Sequence, residues 1–198
     1  MSSTLAPRLY LADRWPRTAA RDTALVLSGT LLITLSALMT IPLPFTPVPI
    51  ALSTFTVFFV GAALGSLRGM LSSLLYLLLG AAGAPVFSYG QSGVAFPTFG
   101  YIVGFVVAAA VVGRLAGQGA GRKVMSTLLL ASVGTVILYV CGVPWLALSL
   151  GVDLGMAVML GVVPFVIGDA IKILALSAVL PGAWKLLAML EDHHRGTK

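Results

Sequence analysis

Uncharged apolar stretches recur along this chain, several of them about 20 residues long, the length a helix needs to cross a hydrocarbon core about 30 Å thick. The run from Thr23 to Ile41 holds no Asp, Glu, Lys or Arg, and neither does the segment from Val124 to Val152. A water-soluble domain carries roughly 25% charged residues to clothe its surface; here the charged fraction is 9% against 59% hydrophobic. Six helices of about 20 residues take up most of the 198 residues, leaving no room for a soluble catalytic domain. The expected fold is therefore an all-α integral membrane protein of six transmembrane helices. Its layout is a basic N-terminal segment over 1–22, a membrane domain with an outward-facing pocket over 23–185, and a tail over 186–198.

Breakers divide the apolar sequence. The first helix is expected over Thr23–Thr40, ending where Pro42, Pro44, Pro47 and Pro49 exclude a continuous helix. A second follows over Ala51–Leu67, a tight connection at Arg68-Gly69, and a short third helix over Met70–Gly80. Residues 81–97 mix Gly, Pro, Ser, Tyr and Gln and read as an irregular segment. The fourth helix is expected over Thr98–Gly117 and the fifth over Val124–Cys141. Residues 142–163, interrupted by Gly142, Pro144, Gly151, Asp153, Gly155 and Gly161, read as a short helix or a partly buried loop. The sixth helix is expected over Phe165–Lys185. The apolar run after the basic N-terminal residues is longer than a signal-peptide core and lacks a clear cleavage site, so it reads as a membrane helix.

Charge tests this layout independently. The segments 42–50, 81–97 and 142–164 contain no Lys or Arg. Arg8, Arg14, Arg17, Arg21, Arg68, Arg114, Arg122, Lys123, Lys185, Arg195 and Lys198 all fall at the opposite ends of the six spans. Basic residues stay on the cytoplasmic side, so both termini are expected inside, and the net charge of +6 reflects topology rather than nucleic-acid binding.

Lys172 is the basic residue that falls within a span. Together with Asp169, three positions earlier, it occupies much the same helical face, about 10 Å below the outer end of the last helix. Ionised groups in a membrane face a cavity, a partner or each other. Three roles fit: an ion pair joining helices, a ligand site in which Lys172 meets an anion and Asp169 accepts from N–H donors or orients the lysine, or a proton relay. Tyr89, Gly90 and Gln91 lie in a flexible outer segment that suits a lid as well as an ordinary loop. Tyr101 and Trp145, at outer helix ends, fit ligand stacking or interfacial anchoring. Ala20, Ala24 and Ser28 form a small-residue ladder at spacing four, suited to close helix contact. Cys141 is alone and makes no internal disulfide; His193 and His194 read as solvated tail residues. The sequence contains no phosphate-binding Gly-rich Lys motif and no Ser–His or Cys–His arrangement, so neither enzyme chemistry nor a bound cofactor or metal is expected.

Five segments in order, Pro44–Ile50, Gly80–Phe87, Phe99–Phe105, Gly142–Trp145 and Pro164–Lys172, together resemble the BioY family of biotin transporters over about residues 20–180. The resemblance implies the substrate-binding component of an energy-coupling-factor transporter in a bacterial cytoplasmic membrane. Such a component binds biotin from outside, while a transmembrane coupling protein and cytoplasmic ATPase subunits complete the machine and use the ATP. It carries the family's Asp and Lys onto Asp169 and Lys172, and the coupling-protein contact onto Ala20, Ala24 and Ser28. The remaining substrate contacts are expected from Ser53, Thr54, Phe87, Tyr89, Gly90, Tyr101 and Trp145. The chain departs from the family where Ser53-Thr54 replaces a usual Gln-Thr, and where Tyr89 stands for a small residue or Asn. Binding of another vitamin, or biotin uptake by the solitary protein, are the rival expectations.

Overall fold

The computed structural model describes residues 10–14 and 18–196; Arg8, Arg17 and Lys198 of the expected basic ends lie outside them. After a 3-10 turn at Leu11–Arg14, seven helices follow, α1 (Ala19–Leu38), α2 (Ser53–Leu64), α3 (Ser66–Ala81), α4 (Phe99–Gly117), α5 (Val124–Leu150), α6 (Leu154–Gly161) and α7 (Val166–Gly196). Two strands, β1 (Thr40–Leu43) and β2 (Thr46–Ala51), separate α1 from α2. By length and composition, α1, α4, α5 and the stretch Leu154–Leu186 suffice to cross a membrane. With 12 and 16 residues, α2 and α3 extend about 18 and 24 Å.

The surface of the bundle matches a lipid setting. Leu148 is 81% exposed and Ile167 76%, and exposed leucines line α1 at Leu27, Leu31 and Leu35. The core combines small, aliphatic and aromatic residues. Ala108, Ala109 and Val112 of α4 are fully buried among Val57 and Val60 of α2 and Tyr76 of α3. Helix α4 is thus the central element, packed against α2, α3 and α5.

Helix α7 runs to Gly196, past the expected end at Lys185, and four further differences from the sequence expectation each have a physical reason. Helix α1 starts at Ala19 rather than Thr23 because the Thr18 side chain caps it, accepting from the Arg21 amide at 3.2 Å, with Asp22 in the first turn. The proline-rich segment is a strand pair, correcting a purely helical fold. Thr40 pairs with Ala51, Ile41 with Ile50 and Leu43 with Thr46, the register slipping at Pro42. Proline's φ suits an extended chain wherever no ladder donor is needed.

The break between the second and third helices falls at Gly65 rather than at Arg68-Gly69. Gly65 has φ +94°, a conformation a side chain would strain, and Arg68 and Gly69 are buried inside α3. Finally, α5 continues past Gly142 and Pro144 to Leu150 and ends at Gly151, whose φ of 67° is left-handed and whose amide donates to the Ala147 carbonyl. Residues 142–150, expected outside the fifth helix, therefore belong to it. Helix α6 then starts at an Asp153 cap whose carboxylate accepts from the Met156 amide at 3.0 Å, which gives that acid a structural task.

The two ends of the bundle differ. At one end, Asp22 of α1 bonds Arg68 of α3 at 2.9 Å, and Arg122 lies 5.0 Å above the Trp184 ring of α7. At the other, the hairpin is tied to α6 by the Thr46 hydroxyl donating to the Leu160 carbonyl at 2.7 Å, and residues 82–98 run between α3 and α4. The basic connections gather at the first end, and a cavity opens at the second.

Candidate functional site: an aromatic pocket with a charged wall

The cavity, counted together with its open mouth, spans about 690 Å³. Val48 and Pro49 of β2 edge it, and Ser53 and Thr54 line it at the start of α2. Seven of the other lining residues are aromatic. Phe87 is fully buried and meets Tyr76 edge-on, with ring centroids 5.2 Å apart; Phe96 lies 5.5 Å from it, and Phe105 stacks 6.3 Å from Tyr76. Gly80 explains how Phe87 reaches that position: the phenyl ring occupies the space a Cβ on residue 80 would take. The amide of Gly93 donates to the Gly80 carbonyl at 2.8 Å and closes the segment over the ring.

One wall is polar. Lys172 donates to Thr54 Oγ1 at 3.1 Å and pairs with Asp169 Oδ1 at 3.1 Å. The other oxygen of Asp169 accepts from the Tyr139 hydroxyl of α5. Both charged side chains are mostly buried, at 16% exposure each. A buried carboxylate and ammonium are tolerable only when paired and hydrogen-bonded, and this chain of contacts meets that condition across α2, α5 and α7. An ammonium has three donors; two are engaged here, which leaves one for an anion in the cavity. Tyr101 completes the wall. Its hydroxyl donates to the Gly161 carbonyl at 3.0 Å, and its ring lies where a Cβ on Gly142 would be.

The structure brings together Asp169, Lys172, Ser53, Thr54, Phe87 and Tyr101 around the cavity. It does not bring Tyr89, Gly90 and Trp145 to its lining. Tyr89 is 51% exposed with φ 61°, and Gly90 is exposed beside it; Phe87 and Ser88 face the cavity, and the turn carries Tyr89 and Gly90 away from it. The Trp145 indole instead donates to the Phe96 carbonyl at 3.0 Å and packs 5.4 Å from Phe99, securing the end of the loop. Ala20, Ala24 and Ser28 form an exposed stripe on α1, with the Ser28 hydroxyl turned back onto the Ala24 carbonyl at 2.7 Å. Sequence reasoning missed Tyr139, along with Tyr76, Thr135 and Phe165 of the lining. Within apolar helices these residues carry no spacing signal; the one hint was that Tyr139 and Thr135 interrupt an otherwise aliphatic run. Among the described residues, no group of three or more His, Cys, Asp or Glu is placed to hold a metal.

Fold and site together define a class: helical membrane proteins that enclose a small pocket, part aromatic and part charged, at one end of the bundle. A solved structure titled as the S-component for biotin from an ECF-type ABC transporter shares the fold, with a TM-score of 0.76 at 22% identity, covering 86% of this chain and 95% of that one. The family model described as BioY family matches residues 7–189. A Rhizobium etli protein named biotin transporter BioY is 37% identical over 165 residues, 78% of this chain and 88% of that protein. A Thermotoga maritima protein of the same name is 38% identical over 155 residues, 76% and 88% of the two chains. The chain belongs to the BioY family.

Proposed function

We propose that this protein takes up biotin as the substrate-binding component of an ECF-type transporter. The observation that carries this reading is the cavity's division into an aromatic floor and a wall bearing Lys172 with one donor left over. Biotin has the same division: a compact bicycle suited to Phe87, Tyr76 and Phe105, and a tail ending in a carboxylate that needs a cation once it is out of water. Both oxygens of Asp169 are already engaged, which favours a role in orienting Lys172 over one as principal acceptor for the ureido N–H groups. The names of the relatives point to the same substrate.

The membrane arrangement follows from this reading. Six crossings, by α1, α2, α3, α4, α5 and α7, leave both termini in the cytoplasm of a bacterial inner membrane. The Asp22–Arg68 and Arg122–Trp184 contacts at the basic end of the bundle support that sidedness, and the cavity then opens outward. The chain binds no cofactor of its own. A transmembrane coupling protein docks on the Ala20, Ala24 and Ser28 stripe, and cytoplasmic ATPase subunits supply the free energy that changes the protein's affinity for its ligand.

Calorimetric titration of the nanodisc-held protein with biotin, and with biotin amide as comparator, tests this. Tight binding of biotin and weak binding of the amide is the expected result. If neither binds, the substrate must be sought among other small anions.

A further inference from the structure

The polar wall of the cavity ends on a tyrosine whose ring lines the space while its hydroxyl is turned onto the charged pair. Tyr139 extends from α5, and its hydroxyl donates to Asp169 Oδ2, the oxygen not engaged by Lys172. Its ring is itself held. Tyr101 meets it edge-on, with centroids 6.5 Å apart and planes at 86°. Tyr101 in turn is fixed by its bond to the Gly161 carbonyl and by its ring's seat on Gly142.

We infer that Tyr139 is a positioning residue that makes the pocket selective for ligands ending in a carboxylate. It acts through Asp169 and rests on the biotin-binding reading above. The reasoning is geometric. Asp169 and Lys172 are three residues apart on α7, and neither is rigid alone: the carboxylate rotates about its own axis and the lysine has a four-carbon stem. With Oδ2 engaged by Tyr139, Oδ1 faces Lys172, and with Thr54 as second acceptor the ammonium has two fixed points. Its remaining donor then has a set direction before any ligand arrives. Ordering a flexible side chain in advance removes a cost that binding would otherwise carry. Without the phenol, Asp169 is free to turn, and the lysine can satisfy itself on both carboxylate oxygens instead of presenting a donor to the cavity.

Tyr139→Phe keeps the ring that lines the cavity and removes only the hydroxyl bonded to Asp169, so it affects the free acid selectively. Biotin and biotin amide are titrated into nanodisc-held wild type, Tyr139→Phe, Asp169→Asn and the double variant, with thermal unfolding recorded for each. Tyr139→Phe is expected to weaken biotin about tenfold, the worth of one hydrogen bond to a charged group, and to change amide binding by less than about twofold. Because Tyr139 acts through Asp169, the double variant should bind biotin no worse than Asp169→Asn alone. Unchanged biotin affinity in Tyr139→Phe, equal losses for acid and amide, or additive losses in the double variant would each overturn the inference. Should Tyr139→Phe not fold, Asp169→Asn decides alone: an acid-to-amide ratio kept at the wild-type value overturns it. A wild type that binds neither compound refutes the substrate reading, a different failure from a wild type that discriminates and a Tyr139→Phe variant that discriminates equally well.

Discussion

Lys172 is the cationic donor of the cavity wall, and replacing it by Ala is expected to cost about 2 kcal/mol of biotin binding, roughly thirtyfold. The unfolding temperature should also fall, because Asp169 loses its buried partner. Undiminished affinity in titration would remove the lysine from the ligand's carboxylate. The pair was legible in the sequence because ionised groups inside an apolar span have few places to go; their partners were not, since a threonine and a tyrosine within membrane helices fit the core as readily as a site. Ser53, only 3% exposed and lining the cavity, stands where relatives were expected to carry the longer Gln. Ser53→Gln therefore extends a polar group into open space beside the ligand, and a gain of about fivefold in biotin affinity is expected. A loss on titration would mean that the serine pocket is fitted to its ligand as it stands. Tyr89 shows the converse limit of reading residues singly. Its polar, flexible surroundings suggested a lid, yet folding turns the apolar neighbour Phe87 inward and leaves Tyr89 in water.

Helices were readable where apolar length exceeded any soluble alternative, as in α1, α4 and the body of α5. Boundaries failed where residues that break helices in water are used for packing in a membrane protein. Gly142 and Pro144 did not stop α5, because Gly142 is the seat of the Tyr101 ring and a membrane helix tolerates an internal proline when its surroundings satisfy the freed carbonyl. Likewise Gly69 resembled a turn but lies within α3, its Cβ position only 2.7 Å from the Gly61 Cα, so the two helices meet through their glycines. The junction that positions the pocket most directly is Gly80 beneath Phe87. Gly80→Ala forces the phenyl ring out of its seat, an overpacking worth about 1–3 kcal/mol. Thermal unfolding should fall accordingly, and biotin binding should weaken because Phe87 is displaced into the cavity. An unchanged affinity alongside lowered stability would show that the ring is structural and not part of the ligand's enclosure.

On the scale of the whole molecule, ligand binding and partner docking occupy different places. The pocket lies at the hairpin end, whereas the exposed Ala20, Ala24 and Ser28 stripe runs from the opposite end of α1. A bulky Ala24→Leu should thus leave biotin titration within about twofold of wild type, the range of surface substitutions, yet reduce co-purification with a coupling protein and uptake in cells. Normal assembly would move the docking face elsewhere. The hairpin has a further consequence for a protein crowded among copies of itself in a bilayer. A two-stranded sheet has outer edges, and an unpaired edge is a template for another chain, all the more where no water competes for its amides. In β2, Pro47 and Pro49 have no amide hydrogen to offer, and the Val48 amide is spent on the Thr46 hydroxyl at 3.2 Å. A neighbouring copy that meets the β2 edge therefore finds little of a strand ladder to extend.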